Sequence, residues 1–279
     1  MNSSDTGAGS GSKPPLRLLH TSDVHLGAYD HGRGDHLDGM RAGLEDAFRR
    51  TVDKAVNEQV DAMLIAGDFI DNARVRDETL HNAAAEIART GVPVVVLPGN
   101  HDHVGPSSLY NRIDWAAEAP NLHLMREPGG ETVAPDGLDV EIWGRSHTEQ
   151  DPRFTPFADA PPRGEAAWQI GIGHGHFIHP GAALQHSFHI YEEELQAMDR
   201  DYVALGHWER LVRVAAGGTT AAYSGAPESL SGSVGGRVLL VDLQADGSVR
   251  IEASSLDGEA PVWHDDIPFL EGAEADPRR

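Results

Sequence analysis

The 279-residue chain contains no cysteine. Disulfides and thiolate metal sites are therefore excluded, and a cytoplasmic location is the expectation. No stretch approaches the ~18 consecutive apolar residues of a membrane span, so no membrane association is expected. The first fifteen residues, MNSSDTGAGSGSKPP, have no apolar centre and read as a flexible tail rather than a secretory leader. Basic side chains are also scarce: 22 Lys and Arg stand against 44 Asp and Glu, a formal charge of −22. A free-standing DNA binder carries a basic footprint instead. If nucleic acid is the substrate, bound metals or a basic partner must supply much of the attraction; the acidity also suits solubility or a salt-adapted host.

What is present fits one α/β domain with a small appendage. Hydrophobic residues make up 39% and there are 31 glycines, enough for a large core with many loops. Strands are expected at 16–20, 61–66 and 92–97. Between them Leu37–Glu58 has helical periodicity, with Leu44, Phe48, Val52 and Val56 four apart. Asp77–Arg89 is a second expected helix, ended by Gly91, and Pro106–Glu118 a third. Alternation of short apolar runs with helical patterns is the mark of βαβ units. Beyond Leu122, strand-like pieces recur at 138–143, 168–172, 202–205, 219–223, 238–243 and 249–253. A Pro-rich loop is expected at 151–162 and a short helix at 191–198. The expected class is α/β, a four-layer α/β/β/α sandwich of two mixed sheets flanked by helices. Residues 16–245 would form the domain, followed over 246–279 by a strand extension and a flexible acidic tail.

Five apolar runs end in polar clusters: Asp23-Val24-His25, Gly67-Asp68-Phe69-Ile70-Asp71, Gly99-Asn100-His101-Asp102, Gly173-His174-Gly175-His176 and Gly206-His207-Trp208-Glu209. Taken singly, each has an ordinary explanation. Asp-x-His can be a cap beside a surface histidine, Gly-Asp a simple turn, and Gly-Asn a turn needing positive φ. Asp23 and His25, two apart in an extended segment, would point to one side and could grip one ion. Open α/β sheets gather ligands at the carboxyl ends of their strands, so the five clusters should converge.

Together, DVH, GDFID, GNHD and the later Gly-His clusters resemble the calcineurin-like metallophosphoesterase superfamily over roughly 16–241. SDVHLG, IAGDFID, LPGNHD, YVALGH and YSGAPES look most like SbcD-type DNA repair exonucleases, the nuclease subunits that pair with an SMC-like ATPase. The resemblance implies hydrolysis of phosphodiester bonds, with DNA as substrate. It also implies two divalent ions, manganese first, with iron, magnesium or zinc as alternatives; mixed O/N ligands suit manganese or iron better than magnesium. Such a pair clamps phosphate oxygens and acidifies a water. By the same resemblance Asp23 and His25 hold one metal, Asn100, His174 and His207 the other, and Asp68 bridges both. His101 would be catalytic, acting on the phosphate or the leaving oxygen, and Asp71 would orient it. Homodimers occur among the related nucleases.

One position departs from the pattern. The last motif should read Gly-His-x-His, but here it reads Gly206-His207-Trp208-Glu209. Glu209 could complete the first site as a ligand, could point away and leave that ion exchangeable, or could be replaced by His176. Other residues receive plainer readings. His31 and His36 are taken as solvated loop residues, and His147 as bordering the site. His179, His186 and His189 are placed in a loop beside the substrate cleft, and Trp115, Trp168 and Trp263 in the core or at hinges. The competing functions are a stand-alone phosphoesterase for a small or nucleotide-like substrate, and a metal-binding regulatory subunit without catalysis.

Overall fold

A computed structural model describes residues 12–32, 34–178, 187–230 and 235–264. The terminal tails expected from composition lie mostly outside these residues, as do His179 and His186.

Two six-stranded sheets pack face to face. In the first, β1 (Leu16–Thr21), β2 (Ala62–Ala66), β3 (Val94–Leu97) and β4 (Leu122–Leu124) run parallel. The helix α1 (Asp35–Asn57) connects β1 to β2, and α2 (Asp77–Arg89) connects β2 to β3. The second sheet has the order β11-β12-β10-β7-β6-β5. Its members are β5 (Glu131–Val133), β6 (Val140–Gly144), β7 (Trp168–His174), β10 (Tyr202–Gly206), β11 (Leu211–Ala216) and β12 (Thr219–Ser224). Strands β6, β7, β10 and β12 are parallel, with β5 and β11 antiparallel at the edges. A small parallel pair, β8 (His176–Ile178) and β9 (His189–Tyr191), follows β7. The chain returns to the first sheet as β13 (Arg237–Leu243), antiparallel to β1, and β14 (Val249–Ser255) pairs antiparallel with it at the edge.

Strand alternation explains the layers. Leu18, Leu64, Val95, Leu97, Leu239 and Val241 point to the second sheet and meet Ile142, Ile170, Ile172 and Ala204 in a buried inner core. Their neighbours Leu19, Met63, Ile65, Val94 and Val96 face outward onto Phe48, Val52, Leu80 and Ile87 of α1 and α2. On the far side Val203, Leu205, Val214 and Tyr223 are covered by Leu195 and Met198, from and just after the short helix α4 (Glu192–Ala197). Each side chain of this kind contributes about 1.5–3 kcal/mol when fully buried. The four-layer α/β/β/α arrangement read from the sequence is thus present.

Several local expectations are corrected. Pro106–Glu118 is not one helix: it is a 3₁₀ turn at Leu109–Asn111 and a single α-turn, α3, at Trp115–Glu118. Ser108 accepts from the Tyr110 N–H and Asp114 from the Ala117 N–H, so two side-chain caps start two separate turns. His189, expected in a loop, lies in β9. Of the residues expected to form a tail, Lys13 and Pro14 are held. Trp168 Nε1 donates to the Pro14 carbonyl at 2.6 Å, and Lys13 Nζ sits 4.1 Å above that indole and 2.9 Å from Asp201.

Asp201 gathers Lys13, Arg163 Nη2 at 2.6 Å and the Gln169 N–H at 2.8 Å. Burial pushes its carboxyl up, but these donors outweigh burial and hold it below the usual carboxylate range. The unfolded chain therefore takes up this proton at higher pH than the folded protein does. The stabilisation is complete above pH ~4 and is lost as pH falls through the depressed folded value. Asp201→Asn is expected to cost about 1–3 kcal/mol at pH 7, with the difference from wild type shrinking below pH ~4. Paired denaturant titrations at the two pH values measure it; a deficit independent of pH would contradict the assignment.

Candidate metal centre

The strand ends carrying the five clusters meet at one edge of the sandwich. Asp23 and His25 follow β1, yet not in an extended segment as their spacing suggested. Both have left-handed backbone, φ 53° and 52°, as do Asp68 at 50° and, further out, His207 at 100°. These are four of the eight described non-glycine residues with positive φ. Such conformations cost on the order of 1–3 kcal/mol each and persist only where the surroundings impose them. Here the first two turns are laced together. The Asp23, His25 and Leu26 N–H groups donate to the carbonyls of Gly67, Asp68 and Phe69, each at 3.0 Å, and Asp71 N–H returns to Leu26.

The third turn is tied in by Asp102, which is 1% exposed. Its carboxylate accepts from the Phe69, Ile70 and Gly99 N–H groups at 2.9, 3.1 and 2.7 Å and from the Tyr110 hydroxyl at 2.7 Å. Close approach also demands small residues. A Cβ at Gly67, where φ is 92°, would stand 2.0 Å from His174 Nδ1, and one at Gly206 would stand 1.8 Å from the Ala66 carbonyl.

Asp68 occupies the centre. Its Oδ1 accepts the His101 N–H at 2.9 Å, and its Oδ2 lies 3.1 Å from His174 Nε2. His174 Nδ1 is 2.9 Å from the Ala66 carbonyl and must donate to it, which leaves Nε2 with its lone pair facing inward. That nitrogen faces Asp68 Oδ2, Asn100 Oδ1 at 3.1 Å and His207 Nδ1 at 3.2 Å. Converging lone pairs of this kind require a proton or a cation between them. Burial lowers the His174 pKa, but Asp68 and Asp23 outweigh burial and push it up to about 9. Burial raises Asp68, yet His174, His25 and His101 hold it far below the usual range. Burial, reinforced by His174 and His176, keeps His207 neutral, the form in which imidazole ligates.

Three sets of candidate ligand atoms lie within 4.8 Å of one another among the described residues: Asp23, His25 and Asp68; Asp68, His174 and His207; and, toward the rim, His25, Asp71 and His101. The first two are the candidate ligand sets of the centre. Asp68 belongs to both. Asn100 adds its amide oxygen beside His174. A donor set of carboxylate, imidazole and amide oxygen around one shared carboxylate fits a pair of divalent cations.

The remaining expected residues fall around this centre. His101 stands at the open rim, its side chain 41% exposed. Its Nδ1 is 2.8 Å from the Asp71 main-chain carbonyl but 3.5 Å from the Asp71 carboxylate, so the main chain is the primary acceptor. The carboxylate instead lies between His101 and His25, 3.3 Å from His25 Nδ1. Glu209 joins neither ligand set; its carboxylate accepts from Ser229 Oγ at 2.6 Å and the Leu230 N–H at 3.4 Å. His176 also joins neither set, and its Nδ1 donates to the Ser187 carbonyl at 2.9 Å. His147 is fully buried behind His174, donating from Nε2 to the His174 carbonyl at 2.9 Å.

Residues 16–209 match the family described as Calcineurin-like phosphoesterase. The chain belongs to that family. Calcineurin-like phosphoesterases are metal-dependent phosphoester hydrolases built on a dinuclear centre. The chain is 27% identical over 229 residues to the DNA double-strand break repair protein Mre11 of Methanopyrus kandleri, covering 77% of this chain and 49% of that one. It is 28% identical over 275 residues to the SbcD component of the nuclease SbcCD of Escherichia coli, covering 85% and 67%. The chain thus spans about half the length of the first of these relatives. The crystal structure of TT1561 from Thermus thermophilus shares the fold, with a TM-score of 0.56 at 13% identity over 87% of this chain and all of that one.

Sequence reasoning overlooked the residues that hold the turns. Asp102 was visible only as the last letter of GNHD. Ser22, whose Oγ donates to Asp23 Oδ2 at 2.5 Å and lies 3.0 Å from Ser224 Oγ, gave no signal beyond its place in SDVH. Because Asp68 is common to both ligand sets, Asp68→Asn is expected to abolish uptake of both ions, whereas His207→Ala should spare one. Metal content per chain after dialysis against manganese, read by inductively coupled plasma spectrometry, makes the distinction. Retention of two ions by the Asp68 variant would rule out a bridging role.

Proposed function

We propose that this chain is a two-metal phosphodiesterase of nuclease type, acting on DNA. The observation that carries the reading is the convergence of Asp23, His25, Asp68, Asn100, His174 and His207 on one carboxylate, with His101 beside it at the rim. When bound, a divalent pair supplies Lewis-acid charge and a water of lowered pKa at neutral pH. Asp23, His25 and Asp68 would hold one ion, and Asp68, Asn100, His174 and His207 the other, with manganese proposed for both.

The chain's own contribution beyond holding metals centres on His101. With Nδ1–H committed to the Asp71 carbonyl, the nitrogen free to meet substrate is Nε2. The neighbouring Asp71 carboxylate favours the protonated ring, and its pull outweighs burial, so that the pKa is pushed up to about 9. A proton held at Nε2 can be donated to a phosphate oxygen or to the departing alkoxide. Asp71 positions that ring through its carbonyl and carboxylate, and His25 packs against it, the two imidazoles meeting edge-on at 4.8 Å between centroids. Similarity to a protein named for double-strand break repair and to a nuclease component supports DNA as the substrate. By the same similarity we propose a cytoplasmic protein that works beside an SMC-like ATPase. Such a partner would offset the charge of −22.

That same charge favours a second reading, a phosphodiesterase for small or nucleotide-like substrates, which need no extended basic track. Assays with manganese on bis(p-nitrophenyl) phosphate, the mono-ester and linear DNA separate the two. The proposal expects diester and DNA cleavage with little mono-ester turnover; diester cleavage without DNA cleavage would favour the small substrate. His101→Ala is expected to lower kcat about 10²–10⁴-fold with metal content unchanged. Loss of metal in that variant would make His101 a ligand, and no diester turnover by wild type with any divalent metal would remove the proposal.

A further inference from the structure

We propose that Glu209 is a positioning residue and not a ligand, which leaves the Asp23–His25–Asp68 site with three protein donors and an exchangeable ion beside a tightly held one. This inference rests on the two-ion reading above. Its basis is an asymmetry in how the two sites are built.

Both oxygens of Glu209 are engaged by one turn, Oε2 by the Ser229 hydroxyl at 2.6 Å and Oε1 by the Leu230 N–H at 3.4 Å. Ser229 is 6% exposed, so this contact is sheltered from competing water. Moving Glu209 to the metals would strip that turn of its acceptor. His176, the other residue weighed for this site, belongs to no candidate ligand set among the described residues, and its ring stands edge-on to His207 at 4.2 Å. Asp23 has little left to give. Its Oδ2 already accepts from Ser22 Oγ at 2.5 Å and from the His207 N–H at 3.0 Å, which leaves Oδ1 as the available donor.

The opposite site is better furnished. Asp68, His174 and His207 surround it with Asn100 Oδ1 alongside, and His174 is fixed from behind by the Ala66 carbonyl. Outer hydrogen bonds of that kind strengthen and orient a ligating imidazole. An ion with three protein donors keeps more of its coordination open to water and substrate than one with four. Glu209 therefore contributes through the backbone: it holds the turn at 229–230 that follows Ser224 and Gly225, the residues against which Ser22 packs behind Asp23.

Calorimetric titration of manganese into the chelator-stripped full chain tests this. Two classes of site are expected, with dissociation constants differing by at least about tenfold. Glu209→Gln should leave both constants within about twofold, because Gln can still accept from Ser229. Glu209→His, offering an imidazole in place of the carboxylate, should tighten the weaker site about tenfold or more. In that variant the spin-coupled signal of a manganese pair should appear at lower metal loading in electron paramagnetic resonance. Two sites of equal affinity in wild type would overturn the inference without recourse to any variant, as would a tenfold weakening in Glu209→Gln. Failure of the two-ion reading is distinguishable: Asp68→Asn would then leave manganese uptake unchanged, whereas failure of this inference alone leaves that variant unable to bind.

Discussion

Asp68 is the constraint from which the rest of the site follows. A carboxylate 2% exposed stands where the strand ends of two sheets meet, and a buried charge is tolerated only when it is compensated. Its compensation comes from both sheets: His25 from the turn after β1, the His101 N–H from the turn after β3, and His174 from the end of β7. No single element could provide this. The inner apolar core that presses the sheets together is thus also what brings the opposite charges within reach, so packing and electrostatics are satisfied by one geometry.

Strain is concentrated in the same place. Left-handed backbone at Asp23, His25, Asp68 and His207 is unfavourable locally. It is sustained by the ladder from Asp23–Leu26 to Gly67–Phe69 and by the four donors gathered on Asp102. Such turns aim side chains inward that regular strands would alternate between faces. The rigid scaffold lies in the sheets, and the directional precision lies in the turns at their ends.

The overall acidity and the local demand for cations are complementary. A chain carrying 44 acidic groups attracts divalent metals as readily as it repels polyanions. Within the centre, His101 at the rim and the ions beneath it would be the main positive features that an approaching phosphate meets.

Much of the fold was legible in the residues themselves. The runs at 62–66 and 94–97 are continuous apolar stretches of the kind parallel, doubly covered strands require, 16–20 is largely so apart from Arg17 and His20, and Leu44, Phe48 and Val52 marked the buried face of α1. The three-residue strands β4, β5, β8 and β9 were not legible, because so few residues carry no measurable period. Pro106–Glu118 misled because Ser108 and Asp114 start separate turns, a competition between side-chain and backbone hydrogen bonds that periodicity does not register. At the site, residue types in order determined that Asp, His and Asn would cluster at strand ends. Only the tertiary structure decided which lone pairs face one another, that the Asp71 main chain rather than its carboxylate is the nearer acceptor for His101, and that Glu209 turns to Ser229. The physical reason is that composition and spacing fix which groups are available, whereas their direction is set by backbone dihedrals and by partners far away along the chain, such as Ser22 and Ser224, which are 202 residues apart.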